Sequence, residues 1–188
     1  MPTKPTCRLV EGAMIAALYV ALTLFSRLLG IADGAVQFRL SEALTVLPVF
    51  TPAAVPGLTI GCLLANLGSP YGVADILSGT AATLLAALCT RALRGVTVRR
   101  IAVLAPVPPV IFNALIVGVV VTIMNEAGQL IPSAFSFAAF SGSALFVALG
   151  EIVVCAGLGL PLLWMLQKGE LASRIFGGQD ALPYSQRR

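Results

Sequence analysis

Histidine is absent from this chain of 188 residues, and charged residues make up only 11% of it. The cysteines are few and far apart, at Cys7, Cys62, Cys89 and Cys155. The chain therefore has neither a zinc-site pattern nor a histidine-based catalytic triad, and we interpret its cysteines as small apolar packing residues. Soluble domains carry about 25% charged residues, so this sequence cannot cover an aqueous surface. These absences exclude an ordinary water-soluble enzyme and predict a chain folded in lipid.

Nucleotide-binding and nucleic-acid-binding patterns are missing as well. The sequence has no GxxxxGK[ST] loop and no glycine-rich cradle of the dinucleotide type, so it cannot hydrolyse ATP by the P-loop route. No nucleophile lies beside a base, which argues against an enzyme of any kind. The 12 basic residues outnumber the 8 acidic ones, but they are scattered singly between apolar runs. We therefore expect no nucleic-acid partner.

Long apolar runs are what the sequence has in abundance, with 58% hydrophobic residues. A bilayer core requires about 20 apolar residues per helix, and residues 9–30, 75–93, 106–124 and 141–167 each approach that length. A fifth apolar region, residues 40–67, is too long for one crossing and too short for two full-length helices. The number of membrane crossings depends on how this fifth region folds.

Three prolines divide the fifth apolar region. Pro48, Pro52 and Pro56 recur at every fourth residue, and each removes a backbone donor and disfavours helix in the residue before it. We therefore predict two short helices, about residues 41–50 and 57–68, which meet near residues 51–55. The chain then has six membrane helices.

The distribution of basic residues tests this count independently, because cytoplasmic loops are enriched in Lys and Arg. With six helices only Arg27 and Arg39 lie outside, whereas five helices would place an arginine cluster on the outer face. The sequence therefore predicts an all-α polytopic membrane protein of six transmembrane helices with both termini cytoplasmic. It forms a single integral membrane domain over residues 1–188, with the bundle at about 9–167 and a cytoplasmic tail at 168–188. A cleaved signal peptide is disfavoured, because the first apolar run exceeds a typical h-region. The ten basic residues on the cytoplasmic side are Lys4, Arg8, Arg91, Arg94, Arg99, Arg100, Lys168, Arg174, Arg187 and Arg188.

Small residues at helical spacing mark two close-packing faces. Ala13, Ala17 and Ala21 follow each other at every fourth position of the first helix, which lets another helix backbone approach closely in lipid. That second helix belongs either to this chain or to a partner. For the similar pair Gly57 and Gly61, packing within the chain is the favoured interpretation.

Polar and ionisable residues gather in the outer half of the predicted bundle. Each ionisable residue inside a membrane costs roughly 2.5–3.5 kcal/mol on insertion scales, so each needs a partner or a function. Interrupted helices near such a cluster are typical of transporter substrate sites. Glu151 is the most informative member, because no other charge lies within ten positions of it. The candidate substrate-binding residues are Gln37, Arg39, Glu42, Asn66, Asp75, Asn113 and Glu151.

Structural interpretations compete with substrate binding at several of these positions. Arg39 and Glu42 are three residues apart and could form a local ion pair on a helix. Asp75 precedes an apolar run and could be a helix N-cap. Asn66 and Asn113 could join neighbouring helices by hydrogen bonds. The sequence alone leaves these alternatives open.

Two segments of the chain resemble a known transporter family. Residues 35–88, which include QFRLSEAL and FTPAAVPGLTIGCLLAN, are similar to the signature of the QueT family of queuosine-precursor transporters. The resemblance extends to LGEIVVCAGLGLPLL, residues 149–163. QueT proteins are substrate-binding S subunits of energy-coupling factor (ECF) transporters. The resemblance therefore implies a six-helix subunit with a substrate pocket near its outer face, in a prokaryotic cell membrane.

The resemblance also implies partners and a ligand. S subunits join a membrane coupling (T) subunit and two ATPases, so ATP is used by the partners and this chain has no cofactor of its own. The alanine face of the first helix would dock the coupling subunit. The implied ligands are 7-deazaguanine bases such as 7-aminomethyl-7-deazaguanine or queuine. We expect Glu151 or Glu42 to receive the guanine-like edge and Asp75 to face the amine. Gln37, Arg39, Asn66 and Asn113 would complete the hydrogen bonds.

A stand-alone secondary transporter or channel for a nucleobase-like or vitamin-like solute is the alternative function. The alanine face and the absence of duplicated halves in the sequence favour the S-subunit interpretation. A purely structural membrane scaffold fits poorly with an isolated glutamate in an apolar helix.

Overall fold

The computed structural model describes residues 5–32, 36–69, 71–97, 102–125, 129–168 and 171–176. Within these ranges helices are joined by turns and loops, and the one β feature is an isolated bridge between Met124 and Leu130. Three helices are long and apolar enough to cross a membrane, and three shorter apolar helices accompany them. The membrane segments are α1 (Pro5–Leu28), a 3-10 helix (Leu40–Val49), α2 (Ala54–Asn66), α3 (Gly72–Ala92), α4 (Val107–Ile123) and α5 (Phe137–Gln167).

The proline region folds as the predicted pair of short helices. The 3-10 helix ends at Val49 and α2 begins at Ala54, so the break lies where the prolines place it. A 3-10 helix rises about 2.0 Å per residue, compared with about 1.5 Å in an α-helix. The 10 residues of the first and the 13 of the second therefore each span roughly 20 Å. Neither crosses a hydrocarbon core of about 30 Å alone.

The two short helices form a hairpin against α1. Near the C-terminal end of α1, Arg27 Nη1 donates to the carbonyl oxygen of Ala65 at 2.6 Å. Near its N-terminal end, Glu11 Oε2 accepts from Thr51 Oγ1 at 2.8 Å. The chain therefore reverses direction at the proline break and returns along α1. This geometry confirms the count of six membrane segments over the alternative of five.

The 3-10 helix lies at the centre of the bundle. All of its residues from Ser41 to Val49 are buried, and it packs against α1, α3 and α5. Its C-terminal carbonyl groups, which an interrupted helix leaves without partners, accept from Arg91 Nη1, at 3.0 Å for Pro48 and 3.3 Å for Val49. The outer helices expose apolar side chains such as Leu77 and Leu145, as expected for surfaces that face lipid.

Small residues allow α1 and α2 to approach closely. A Cβ added at Gly57 would lie 2.7 Å from the Gly12 carbonyl oxygen, and one at Gly61 would lie 3.0 Å from the carbonyl oxygen of Ala16. These distances are too short for a side chain. The prediction that Gly57 and Gly61 pack within the chain is therefore confirmed.

Single π-helical turns interrupt α4 and α5. One covers Asn113–Val117 and the other covers Cys155–Gly159. Such turns occur frequently at functional sites because they redirect side chains and free backbone groups. Asn113 begins the first π turn, and Glu151 lies one turn before the second.

The helix ends lie within four residues of those predicted from the apolar runs. A further short helix, α6 (Leu171–Phe176), follows α5, and its Phe176 ring stacks on Phe50 with 6.3 Å between ring centroids. Several residues used for the orientation prediction lie outside the described residues, namely Lys4, Arg99, Arg100, Arg187 and Arg188. The cytoplasmic placement of both termini and of the tail stays a prediction.

Candidate functional site

The predicted polar residues come from five different elements and meet inside the bundle. Six of the seven are at most 7% exposed, although they are far apart in the sequence. The seventh, Gln37, is half-buried in the segment that leads to the 3-10 helix. The six buried residues are Arg39, Glu42, Asn66, Asp75, Asn113 and Glu151.

Arg39 forms its ion pair with Asp75 on α3. Nη2 of the guanidinium lies 3.5 Å from Oδ2 of the carboxylate, and both side chains are buried. The same carboxylate oxygen accepts from Ser69 Oγ at 2.5 Å. The N-cap interpretation of Asp75 is wrong, because α3 begins at Gly72 and the N-cap is Tyr71. Asp75 instead faces inward from the first turn of α3.

Glu42 is held by a residue of α1. Tyr19, itself fully buried, donates its hydroxyl hydrogen bond to Oε1 of this carboxylate. The other oxygen, Oε2, is buried without a hydrogen-bond partner. A local pair with Arg39 was the structural alternative, but the Arg39 guanidinium makes its ion pair with Asp75.

Glu151 connects α5 to α4 and to the central helix. Its Oε1 accepts from Asn113 Nδ2 at 2.8 Å, and its Oε2 accepts from Cys155 Sγ at 3.4 Å. Cys155 Sγ also lies 3.5 Å from the backbone carbonyl oxygen of Glu42. Cys155 therefore contributes a weak donor to the cluster in addition to packing. Asn113 therefore joins α4 to α5 by a hydrogen bond, as the structural interpretation predicted. Whether Asn113 also contacts a ligand is a separate question.

Asn66 approaches the same cluster from the end of α2. Its Oδ1 accepts from Arg27 Nη2 at 3.4 Å, and its Nδ2 lies 3.5 Å from Cys62 Sγ. A Cβ added at Gly79 would be 2.7 Å from Asn66 Nδ2 and 3.9 Å from Arg39 Nη1. The absence of a side chain at Gly79 therefore gives both polar groups their space.

The backbone of Gln37 packs directly against α5. A Cβ added at Gly150 of α5 would overlap the carbonyl oxygen of Gln37 and lie 3.0 Å from its carbonyl carbon. The segment that precedes Arg39 therefore rests directly on the α5 backbone, one residue before Glu151. This contact fixes the position of residues 36–39 relative to the cluster.

Several buried groups of this cluster lack hydrogen-bond partners among the described residues. They are Nε of Arg39, Oε2 of Glu42 and Oγ of Ser78, whereas Nη2 of Arg39 makes the ion pair with Asp75 but no hydrogen bond. Buried polar groups are almost always satisfied, so a set of donors and acceptors without partners makes this cluster the candidate site for a polar ligand. The carboxyl and guanidinium groups of the cluster form hydrogen bonds in a plane, and the carboxyl groups are in excess.

Sequence reasoning missed several members of this cluster. Tyr19, Thr23 and Ser26 are polar residues at positions i, i+4 and i+7 of an apolar helix, and this spacing was the available signal. Cys155 follows Glu151 by four residues, one helical turn. Ser78 gave no signal, because serine is common in membrane helices.

A second feature lies on the outside of α1. The predicted alanine face, Ala13, Ala17 and Ala21, is exposed and forms one wall of an apolar groove of about 700 Å³. The other wall is α2, with Gly57 and Ile60 among its lining residues. Packing of this alanine line within the described chain is therefore wrong, since the buried residues of α1 lie on another face.

Six apolar segments that enclose a buried, mixed-charge polar cluster define a helical membrane protein with an internal polar site. Comparison with known proteins gives the family. The model of the QueT transporter family matches residues 9–168, and the chain belongs to this family. It is a family of transporters and not of enzymes.

One characterised relative supports the family assignment. The chain is 36% identical over 85 residues to the protein named queuosine precursor transporter QueT of Lactococcus lactis subsp. cremoris (strain MG1363). The match covers 45% of this chain and spans half the length of that relative. No solved structure matches the chain.

Proposed function

We propose that this chain is the substrate-binding membrane subunit of an ECF-type importer that captures a queuosine precursor on the outer side of the cell membrane. The ligand is a 7-deazaguanine base such as 7-aminomethyl-7-deazaguanine or queuine. A membrane coupling subunit and two ATPases carry out the ATP-driven uptake. The observation that carries the proposal is the buried cluster of unsatisfied donors and acceptors inside a member of the QueT family.

The hydrogen-bonding groups of the cluster fit a guanine-like base. Two neighbouring N–H donors of such a base suit a carboxylate, and Glu42 Oε2 is a buried acceptor without a partner. The base carbonyl suits a guanidinium, and Arg39 Nε is a buried donor without a hydrogen bond. Glu151 is the second candidate carboxylate for the base edge, and Asn113 and Cys155 fix its orientation in the cluster.

The charge of the cluster fits a cationic ligand. Three carboxyl groups, of Glu42, Asp75 and Glu151, lie with the single buried guanidinium of Arg39. Counting the half-buried Arg27 at the edge, carboxylates still outnumber guanidinium groups by three to two. A buried carboxylate without a compensating cation is costly, because both charges of a pair are needed to offset desolvation. An aminomethyl group on the base would supply the missing positive charge.

The exposed groove supports the partner assignment. Helices associate in lipid through close packing of small residues, and Ala13, Ala17 and Ala21 line a groove that another helix can enter. We assign this groove to the coupling subunit. The cytoplasmic location of both termini follows from the excess of basic residues on that side.

Co-purification with transport assays tests the assembly. The tagged chain, co-expressed with a coupling subunit and two ATPases, should purify with all three and accumulate the base in vesicles only when ATP is supplied. Accumulation without ATP, together with purification as a lone oligomer, would support the stand-alone transporter or channel instead.

A ligand panel tests the substrate. The purified full-length chain should bind 7-aminomethyl-7-deazaguanine more tightly than guanine, which has the same recognition edge without the amine. Equal affinities for the two bases would refute the assignment of a cationic ligand.

A further inference from the structure

The face of α1 that points into the bundle carries a polar stripe that is hydrogen-bonded to the 3-10 helix. Thr23 Oγ1 donates to Ser41 Oγ at 2.8 Å, and Ser26 Oγ accepts from the backbone N–H of Leu40 at 3.0 Å. Tyr19 extends this stripe by one turn and donates to Glu42. The 3-10 helix is therefore joined to α1 by three hydrogen bonds along one face of α1.

Of these contacts, the one made by Tyr19 acts directly on a proposed binding group. A carboxylate has two oxygens, and its orientation is set when one of them is held. Tyr19 holds Oε1 of Glu42, while Oε2 stays buried without a partner. The Tyr19 ring is 1% exposed, so packing fixes its hydroxyl group in place.

We propose that Tyr19 is a positioning residue that orients the Glu42 carboxylate so that Oε2 is presented to the ligand. The inference rests on the proposed function and adds to it a residue on α1 that acts through Glu42 without contacting the base. The hydrogen bond from Tyr19 is buried, and a hydrogen bond is electrostatically stronger inside a protein than in water. Its loss would let the carboxylate rotate within the cluster.

The position of Tyr19 on α1 also separates its role from that of the groove. At about 100° per residue, the centre of the Tyr19, Thr23 and Ser26 stripe lies roughly 150° around the helix from the centre of the alanine face. A change confined to the Tyr19 hydroxyl leaves the alanine face untouched. The same helix therefore carries a face for the site and a face for a partner.

A double-mutant cycle tests the inference. Tyr19→Phe keeps the ring and removes the hydroxyl group, and we expect it to weaken binding of 7-aminomethyl-7-deazaguanine at least tenfold in calorimetry. In a Glu42→Gln background, the same change should alter affinity by less than threefold, because Tyr19 acts through Glu42. Thr59→Val is the control, since it also removes a hydroxyl group, one that donates to the Val55 carbonyl oxygen within α2, and it should bind as the wild type does.

Two results would overturn the positioning role. One is wild-type affinity in Tyr19→Phe, and the other is an equal loss in both backgrounds, which a purely structural contribution would give. If Tyr19→Phe fails to fold, Glu42→Asp tests the same point. It withdraws the carboxylate from the hydroxyl while keeping the charge, and unchanged affinity there would also overturn the inference. Absence of binding by the wild-type chain would instead refute the proposed function itself.

Discussion

Replacing Gly150 by alanine adds one methyl group at the tightest contact of the proposed site. The new Cβ would overlap the Gln37 carbonyl oxygen and lie 3.0 Å and 3.3 Å from its carbonyl carbon and nitrogen. The obstructing atoms belong to the backbone, so no side-chain rotation relieves the clash. We expect the segment that carries Arg39, two residues further along, to move away from α5.

The size of the effect follows from the cost of overpacking. Adding a methyl group to a well-packed interior costs about 1–3 kcal/mol, and the upper half of this range applies where backbone must move. For a chain of this size, 1 kcal/mol corresponds to roughly 2–4 °C in melting temperature. A fall of several degrees is therefore expected. Displacement of Arg39 should also remove a charge-assisted hydrogen bond to the ligand and weaken binding about tenfold or more.

Thermal unfolding in detergent and calorimetry with 7-aminomethyl-7-deazaguanine measure the two effects of Gly150→Ala. Gly142→Ala is the control on the same helix, because a Cβ at Gly142 meets nothing within 4 Å. That control should keep the affinity and gain about 0.4–1 kcal/mol of stability. Equal behaviour of the two variants would refute the close contact between Gln37 and α5.

Two further predictions concern the ion pair and the groove. Asp75→Asn leaves the buried Arg39 charge without its partner and should destabilise the chain by about 3–5 kcal/mol. A melting temperature within a degree of the wild type would contradict the buried pair. Ala17→Phe should fill the groove and abolish co-purification of the coupling subunit while ligand affinity is kept, whereas Leu18→Phe, outside the groove, should do neither. Undiminished co-purification with Ala17→Phe would place docking elsewhere.

Much of the fold could be predicted from the sequence because lipid constrains it strongly. Apolar runs of sufficient length and three prolines were enough to place all six segments. The 3-10 geometry of residues 40–49 was not predictable, because an apolar run indicates a buried segment but not the type of helix. Propensity alone does not favour ten residues of 3-10 helix. The π turns at Asn113 and Cys155 were not predicted either, because tertiary packing sets them and the apolar pattern does not.

The sequence predicted which polar residues form the site, but it did not predict which of them contact one another. An isolated charge in an apolar helix is informative by itself, so Glu151 and Asp75 were found without any contact information. Which group pairs with which depends on how the helices rotate against one another. Arg39 therefore pairs across the bundle with Asp75, and Glu42 receives a tyrosine from α1 that hydropathy could not distinguish from a packing residue.

Calorimetry on Glu151→Gln tests the central claim, that the buried cluster binds a queuosine-precursor base, most directly. Glutamine keeps one carbonyl oxygen for the Asn113 hydrogen bond, removes the charge and replaces the second acceptor oxygen by an NH2 donor. Loss of a charge-assisted hydrogen bond costs about 1.5–3 kcal/mol, which corresponds to roughly 10- to 100-fold in affinity. Glu11→Gln is the control, because it removes a carboxylate near the N-terminal end of α1, outside the cluster, and it should bind the base as the wild type does. The account predicts that the wild type binds 7-aminomethyl-7-deazaguanine and that Glu151→Gln binds it at least tenfold more weakly. Equal affinity of the two would contradict it.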